Sequence, residues 1–83
     1  MPKPVIIEAS FKTPEVIFDK ANGIFQIRGR SICENAHEFY KPLYNWLIEY
    51  FENPNDETKL IFNFDYLNSS SLIQISKIMN LSK

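Results

Sequence analysis

The sequence predicts an α/β fold: a small mixed sheet, built from an N-terminal hairpin plus one parallel strand, with helices packed on one face. Three observations carry this reading. Two β-branched and aromatic runs flank an Asn22-Gly23 turn, and a long stretch around Trp46 places apolar residues at helical spacing. An alternating run from Lys59 to Leu67 then passes through a serine cluster into a second helical pattern. The order is strand, strand, helix, strand, helix (β-β-α-β-α).

The chain has 83 residues and 45% hydrophobic content. A domain of this size buries only about 60 to 65% of the surface its unfolded chain exposes, so there is room for one core and not two. Residues 1–12, "MPKPVIIEASFK", hold two early prolines and mixed polarity. They read as a loose lead-in whose Val5 to Ile7 can lie against the domain. Residues 13–83 read as that single domain.

"PEVIFDKANGIFQIRG" is a β-hairpin with strands Glu15 to Asp19 and Ile24 to Gly29. In the second strand Phe25 and Ile27 point one way, and Ile24, Gln26 and Arg28 the other. "CENAHEFYKPLYNWLIEYFEN" has apolar side chains at Ala36, Phe39, Tyr40, Leu43, Tyr44, Trp46, Leu47, Tyr50 and Phe51, an amphipathic helix. Asn35 or Ser31 caps its start, and Asn53-Pro54-Asn55-Asp56 stops it. Pro42 removes a donor and crowds the Glu38 carbonyl, which predicts a kink or a helix in two pieces.

"TKLIFNFDYLN" puts Leu60, Phe62, Phe64 and Tyr66 on one face, and Ile61, Asn63, Asp65 and Leu67 on the other. "SSSLIQISKIMNLSK" follows, with Leu72, Ile75, Ile78 and Met79 at helical spacing to the chain end. A helical crossover between the second hairpin strand and this strand makes the two parallel, a βαβ unit.

The formal net charge is -1 and the nine basic residues are scattered, which argues against a nucleic-acid partner. The single cysteine, Cys33, cannot close an intramolecular disulfide. No basic segment followed by a long apolar run marks export or membrane insertion, so the expectation is a cytoplasmic protein without membrane contact. His37 lacks a converging set of ligands, Cys33 reads as a small apolar filler, and no glycine-rich phosphate loop occurs. No enzyme and no cofactor or metal is expected.

The cluster Asn68-Ser69-Ser70-Ser71 admits two readings. Asn68 or Ser69 supplies an N-cap, for which one side chain suffices. Alternatively, the carboxyl end of a parallel strand entering a helix N-terminus is a place where α/β sheets hold anions, so a phosphoryl group there meets free N–H donors. Asp65 adds negative charge nearby. Arg28 and Arg30 flank Gly29 as a small anion or partner site, and Tyr40, Tyr44 and Tyr50 are candidates for half-buried partner contacts, as is Tyr66.

"GRSICENAHEFYKPLYNWLIEY", followed by a strand ending "DYLNSSS", resembles the SiaC family of bacterial regulatory phosphoproteins. The matching positions are Gly29, Arg30, Ser31, Glu34, Asn35, Phe39, Tyr40, Pro42, Leu43, Trp46 and Leu47, then Tyr66, Leu67, Asn68, Ser69 and Ser70. The resemblance implies a STAS-like fold, similar to anti-sigma-factor antagonists, switched by a partner kinase and a metal-dependent phosphatase. It implies a diguanylate cyclase as a possible target of the unphosphorylated form. The family's phosphoacceptor follows the motif Asn and maps onto Ser69, with Ser70 secondary and Asn68, Ser71 and Asp65 in support. Ser69 stands where the family has Thr, Cys33 where it usually has Pro, and Ile73 where a Lys commonly follows the hydroxyls. Relatives continue past the second helix with another strand and helix, so the edge beside Lys59 to Leu67 is expected to be open, or covered by a second copy in a homodimer. The expected function is a non-enzymatic signalling adaptor; the alternative is a constitutive interaction or assembly module in which the serines only cap the helix.

Overall fold

A computed structural model describes residues 3–81. The elements are β1 (Val5–Ile7), β2 (Glu15–Asp19), β3 (Ile24–Ser31), α1 (Ala36–Glu52), β4 (Ile61–Leu67) and α2 (Ser69–Leu81). They form one four-stranded sheet of order β1-β2-β3-β4, antiparallel except for the parallel β3/β4 pair. All five expected elements are present. The end of the second helix expected over residues 82–83 lies outside the described residues.

Within the lead-in, residues 5–7 form an edge strand against the domain. Val5–Ile7 pairs antiparallel with β2, with Ile6 opposite Ile17. The indole N–H of Trp46, a residue only 8% exposed, donates to the Lys3 carbonyl at 2.6 Å, and the Ile32 N–H donates to the Lys12 carbonyl at 3.0 Å. Each tie has the same cause: a donor or strand edge next to the core needs a partner, and the preceding chain is the nearest one.

In the hairpin turn, Asp19 accepts from the backbone and side-chain nitrogens of Asn22, which holds its carboxyl below the usual range. Gly23 takes the left-handed φ of 68°.

Alternation then separates the faces. Val16, Phe18, Phe25 and Ile27 turn toward the helices and meet Tyr40, Leu43, Trp46, Leu47, Tyr50, Ile75 and Ile78 in one buried cluster. Trp46 stacks on Tyr50 with ring centroids 5.5 Å apart, and Phe25 lies 4.9 Å from Tyr50. Among the described residues no helix or strand covers the opposite face of the sheet: Ile6 is 70% exposed, and Ile24 and Ile61 are also exposed.

Pro42 does not divide α1, which runs unbroken from Ala36 to Glu52. Pro42 and Glu38 are both exposed, so water can serve the Glu38 carbonyl that loses its donor, and buried side chains anchor the helix on either side of the proline. Asn35 is the N-cap residue, but its side chain makes no capping bond, and Ser31 lies within β3.

The expected faces of β4 hold only as far as Phe64. Gly29 pairs with Phe64 but Arg30 pairs with Tyr66, so Asp65 is an extra residue without a partner on β3. This bulge reverses the faces beyond it. Leu67 packs against the core with Phe62 and Phe64, and Tyr66 stands 64% exposed on the open side.

Gly29, paired with Phe64 just before the bulge, has φ of 111°, a region L side chains rarely adopt, and a Cβ there would approach the Pro14 Cα at 3.9 Å. Gly29→Ala is expected to cost about 1 to 3 kcal/mol through backbone strain. At Gly23 an added Cβ meets nothing within 4 Å and φ is left-handed, so Gly23→Asn should be far milder. Urea denaturation of the two variants against the parent checks the contrast; equal midpoints would refute it.

Candidate functional site

β4 hands over to α2 with a single residue between them. Asn68 is that residue, and its side chain closes the junction in both directions. Its Oδ1 accepts from the Ser71 N–H at 2.9 Å, and its Nδ2 donates to the Cys33 carbonyl at 3.0 Å. Its backbone N–H donates to the Ser31 carbonyl at 3.0 Å, and its carbonyl accepts the first helical bond from Leu72 at 2.9 Å. Asn68 is therefore the N-cap, one of the two residues, Asn68 and Ser69, that the sequence offers for that role.

The three serines divide by helical geometry. Ser71 points inward and is fully buried; the Ser31 hydroxyl donates to its oxygen at 2.7 Å. Ser31 is itself buried and lies 2.5 Å from the Tyr40 hydroxyl. With the Ser31 proton committed to Ser71, the phenol is the donor to Ser31. Three hydroxyls from β3, α1 and α2 are thus joined in a dry chain, and both helices begin at the same end of the sheet.

Ser69 and Ser70, by contrast, are exposed. They are the first two residues of α2, whose N–H groups have no intrahelical acceptor. Ser71 takes part in the junction from the interior.

The structure separates the remaining candidates. Tyr40 is 1% exposed and cannot be a partner contact, and Tyr50 is equally buried. The hydroxyl of Tyr50 bonds Thr58 at 2.7 Å and the Asn55 N–H at 3.1 Å. Both were expected to be half-buried because spacing places a tyrosine on an apolar stripe without saying whether a buried acceptor awaits its hydroxyl. Tyr44 is half-buried on the α1 side that faces α2.

Arg28, Arg30 and Tyr66 are exposed on the open face of the sheet. There the Arg30 guanidinium lies over the rings of Phe11 and Tyr66, 5.3 and 5.6 Å from their centroids. Asp65 is not part of the cap. Alternation keeps it on the open face with Asn63, where both line a shallow groove of about 270 Å³ with Ala9, Glu15, Arg28 and Gly29. Sequence reading missed Ser31 as a buried link and Phe11 as a ring beside Arg30. Ser31 carried one signal, a small hydroxyl residue at an inward-alternating position of β3.

The fold and this junction define a class, a small mixed α/β domain that presents free hydroxyls at a capped strand-to-helix handover. The chain belongs to the SiaC family: the model described as "SiaC family regulatory phosphoprotein" matches residues 7–83. Among solved structures it is similar to apo-SiaC from Pseudomonas aeruginosa and to a second SiaC structure from the same organism. Each has a TM-score of 0.89 at 24% identity and is matched over 96% of this chain. The chain spans 66% of the length of those SiaC chains. No curated protein matches it. Among the described residues, no helix is long and apolar enough to cross a membrane.

Burial pushes the Tyr40 phenol up to about 12, an effect partly offset by the Ser31 hydroxyl. Below the ordinary phenol value of 10.0, Tyr40 is neutral in both folded and unfolded chains, and its contribution to stability is fully present. As pH rises from there toward 12 the unfolded chain ionises first, so that contribution is lost. Urea midpoints measured across this alkaline window should fall for the parent and fall less for Tyr40→Phe. At neutral pH Tyr40→Phe should lose about 1 kcal/mol, one buried hydrogen bond. Parallel pH profiles would remove Tyr40 as the cause.

Proposed function

We propose that this chain is a non-enzymatic signalling adaptor whose state is set by reversible phosphorylation of Ser69, with Ser70 as a secondary acceptor. One observation supports this above the others. The cap is supplied by Asn68 and the buried link by Ser71, so the Ser69 hydroxyl is exposed and has no task in the fold. Membership of a regulatory phosphoprotein family points the same way.

A phosphoryl group on Ser69 would meet the free N–H groups of the first turn of α2 and the positive end of the helix. Such an interaction is worth about 0.3 to 1 kcal/mol at an exposed site. The fold would tolerate the modification, and its added charge would act on a partner surface. The partners proposed are a kinase, a phosphatase and, in one state, a diguanylate cyclase, all cytoplasmic.

A second reading, a constitutive interaction module, draws support from the uncovered sheet face, where Tyr66, Phe11 and Ile61 stand exposed. Under it, association depends on Tyr66 and ignores Ser69.

Phosphosite mapping of protein isolated from its native host is expected to find phosphate on Ser69, absent in Ser69→Ala. Stability should separate the cluster's roles: Ser69→Ala within about 0.5 kcal/mol of the parent, Asn68→Ala about 1 kcal/mol lower. An unmodified Ser69, together with equal partner binding by Ser69→Asp and Ser69→Ala, would sink the switch and favour the constitutive module.

Among the described residues no strand pairs with the outer edge of β4. Pairing of two such edges in a homodimer is a further part of the proposal. Equilibrium sedimentation at micromolar concentration should then show a dimer, and a folded monomer would dismiss it.

A further inference from the structure

Away from the Ser69 junction, α1 and α2 lie side by side and leave a groove of about 430 Å³ between them. His37, Lys41, Tyr44 and Asn45 line it from α1, and Gln74 and Lys77 from α2. No carboxylate is among these side chains, although the chain as a whole carries a net charge of -1. The α1 carboxylates nearest in sequence, Glu38 and Glu49, continue the stripe of Lys41 and Asn45 beyond either end, and neither lines the groove. Positive charge is therefore gathered from both walls of one concave strip, with amide and phenol groups between the cations.

We infer that this inter-helix groove is a docking site for an acidic polypeptide segment of a protein partner. Two features choose the occupant. The lysines stand on opposite walls, which suits carboxylates spaced along a chain laid between the helices. All six lining residues also carry a polar or charged group, unlike the mostly hydrophobic side chains that line pockets for small ligands. Charge complementarity of this sort steers encounter and sets orientation, and it weakens with salt. The site does not rest on phosphorylation of Ser69, so either proposal can fail alone.

Ser70 lies one turn before Gln74 on the α2 stripe that carries Gln74 and Lys77, just beyond the residues that line the groove. Negative charge added at Ser70 would enter the same field that attracts the acidic segment.

The test follows backbone amide resonances of the full chain during titration with an oligoglutamate peptide, with oligolysine and ATP as comparison ligands. Oligoglutamate should shift signals of residues 37–45 and 74–77, and raising salt should weaken the effect. Lys41→Glu/Lys77→Glu should reduce affinity by about tenfold or more. Lys12→Glu/Lys59→Glu, the same change in net charge at exposed sites elsewhere, should retain most of it. All four substituted positions are exposed, and unchanged circular dichroism confirms folding of each variant. The proposal is overturned by equal losses in the two double variants, by shifts lying outside the groove, or by binding of ATP without binding of oligoglutamate.

Discussion

The chain of buried hydroxyls from Tyr40 through Ser31 to Ser71 is the constraint on which the arrangement of the domain depends. Each of these groups lies out of water, and an unmet donor or acceptor there would cost about 1 to 3 kcal/mol. β3, α1 and α2 must therefore meet at one point and in one rotation. Asn68 repeats the demand through the backbone, tying α2 to the carbonyls of Ser31 and Cys33. Apolar packing of Leu47, Phe18 and Ile78 supplies the bulk of the drive to fold. The hydroxyls fix which turn of each helix faces which end of the sheet.

That division explains how the junction can be both rigid and available. Within three consecutive serines the helix sends one inward, where it is clamped, and leaves two outside with nothing to hold. The exposed pair is positioned by its neighbours and not by its own bonds. The rest of the surface is similarly divided: the helix side gathers cations into a groove, and the sheet side leaves isoleucines, Phe11 and Tyr66 open. The candidate contacts on the two sides point in opposite directions, so they can serve different partners.

Much of the fold was legible because period and punctuation agree. The Asn22-Gly23 turn, the apolar stripe of α1 and the asparagine ahead of α2 each fix an element by local chemistry, and each is where it was expected. What escaped was non-local. Val5–Ile7 is a strand only because β2 presents an open edge, and a three-residue run has no periodicity of its own to declare it. Tyr40 reads as a half-wet tyrosine until Ser31, nine residues earlier, is brought under its hydroxyl. Pro42 suggests a break that side-chain anchors on both sides of it prevent. Helix entry at Asn68 was legible because capping is local, whereas Ser69 as candidate acceptor came from the family resemblance. The grouping of the groove residues was not legible, since it needs two helices at once.

The extra residue at Asp65 has a consequence of its own. Strict alternation would carry Tyr66 inward and leave Leu67 facing water, and the cap that follows would start from the wrong side of the sheet. By spending one position out of step, β4 changes parity just before it ends, so its final aliphatic side chain seals the interior as the chain turns. An aromatic ring is released to the exterior at the same stroke, beside the Arg30 guanidinium. A single unpaired aspartate thus sets the outward identity of this end of the molecule.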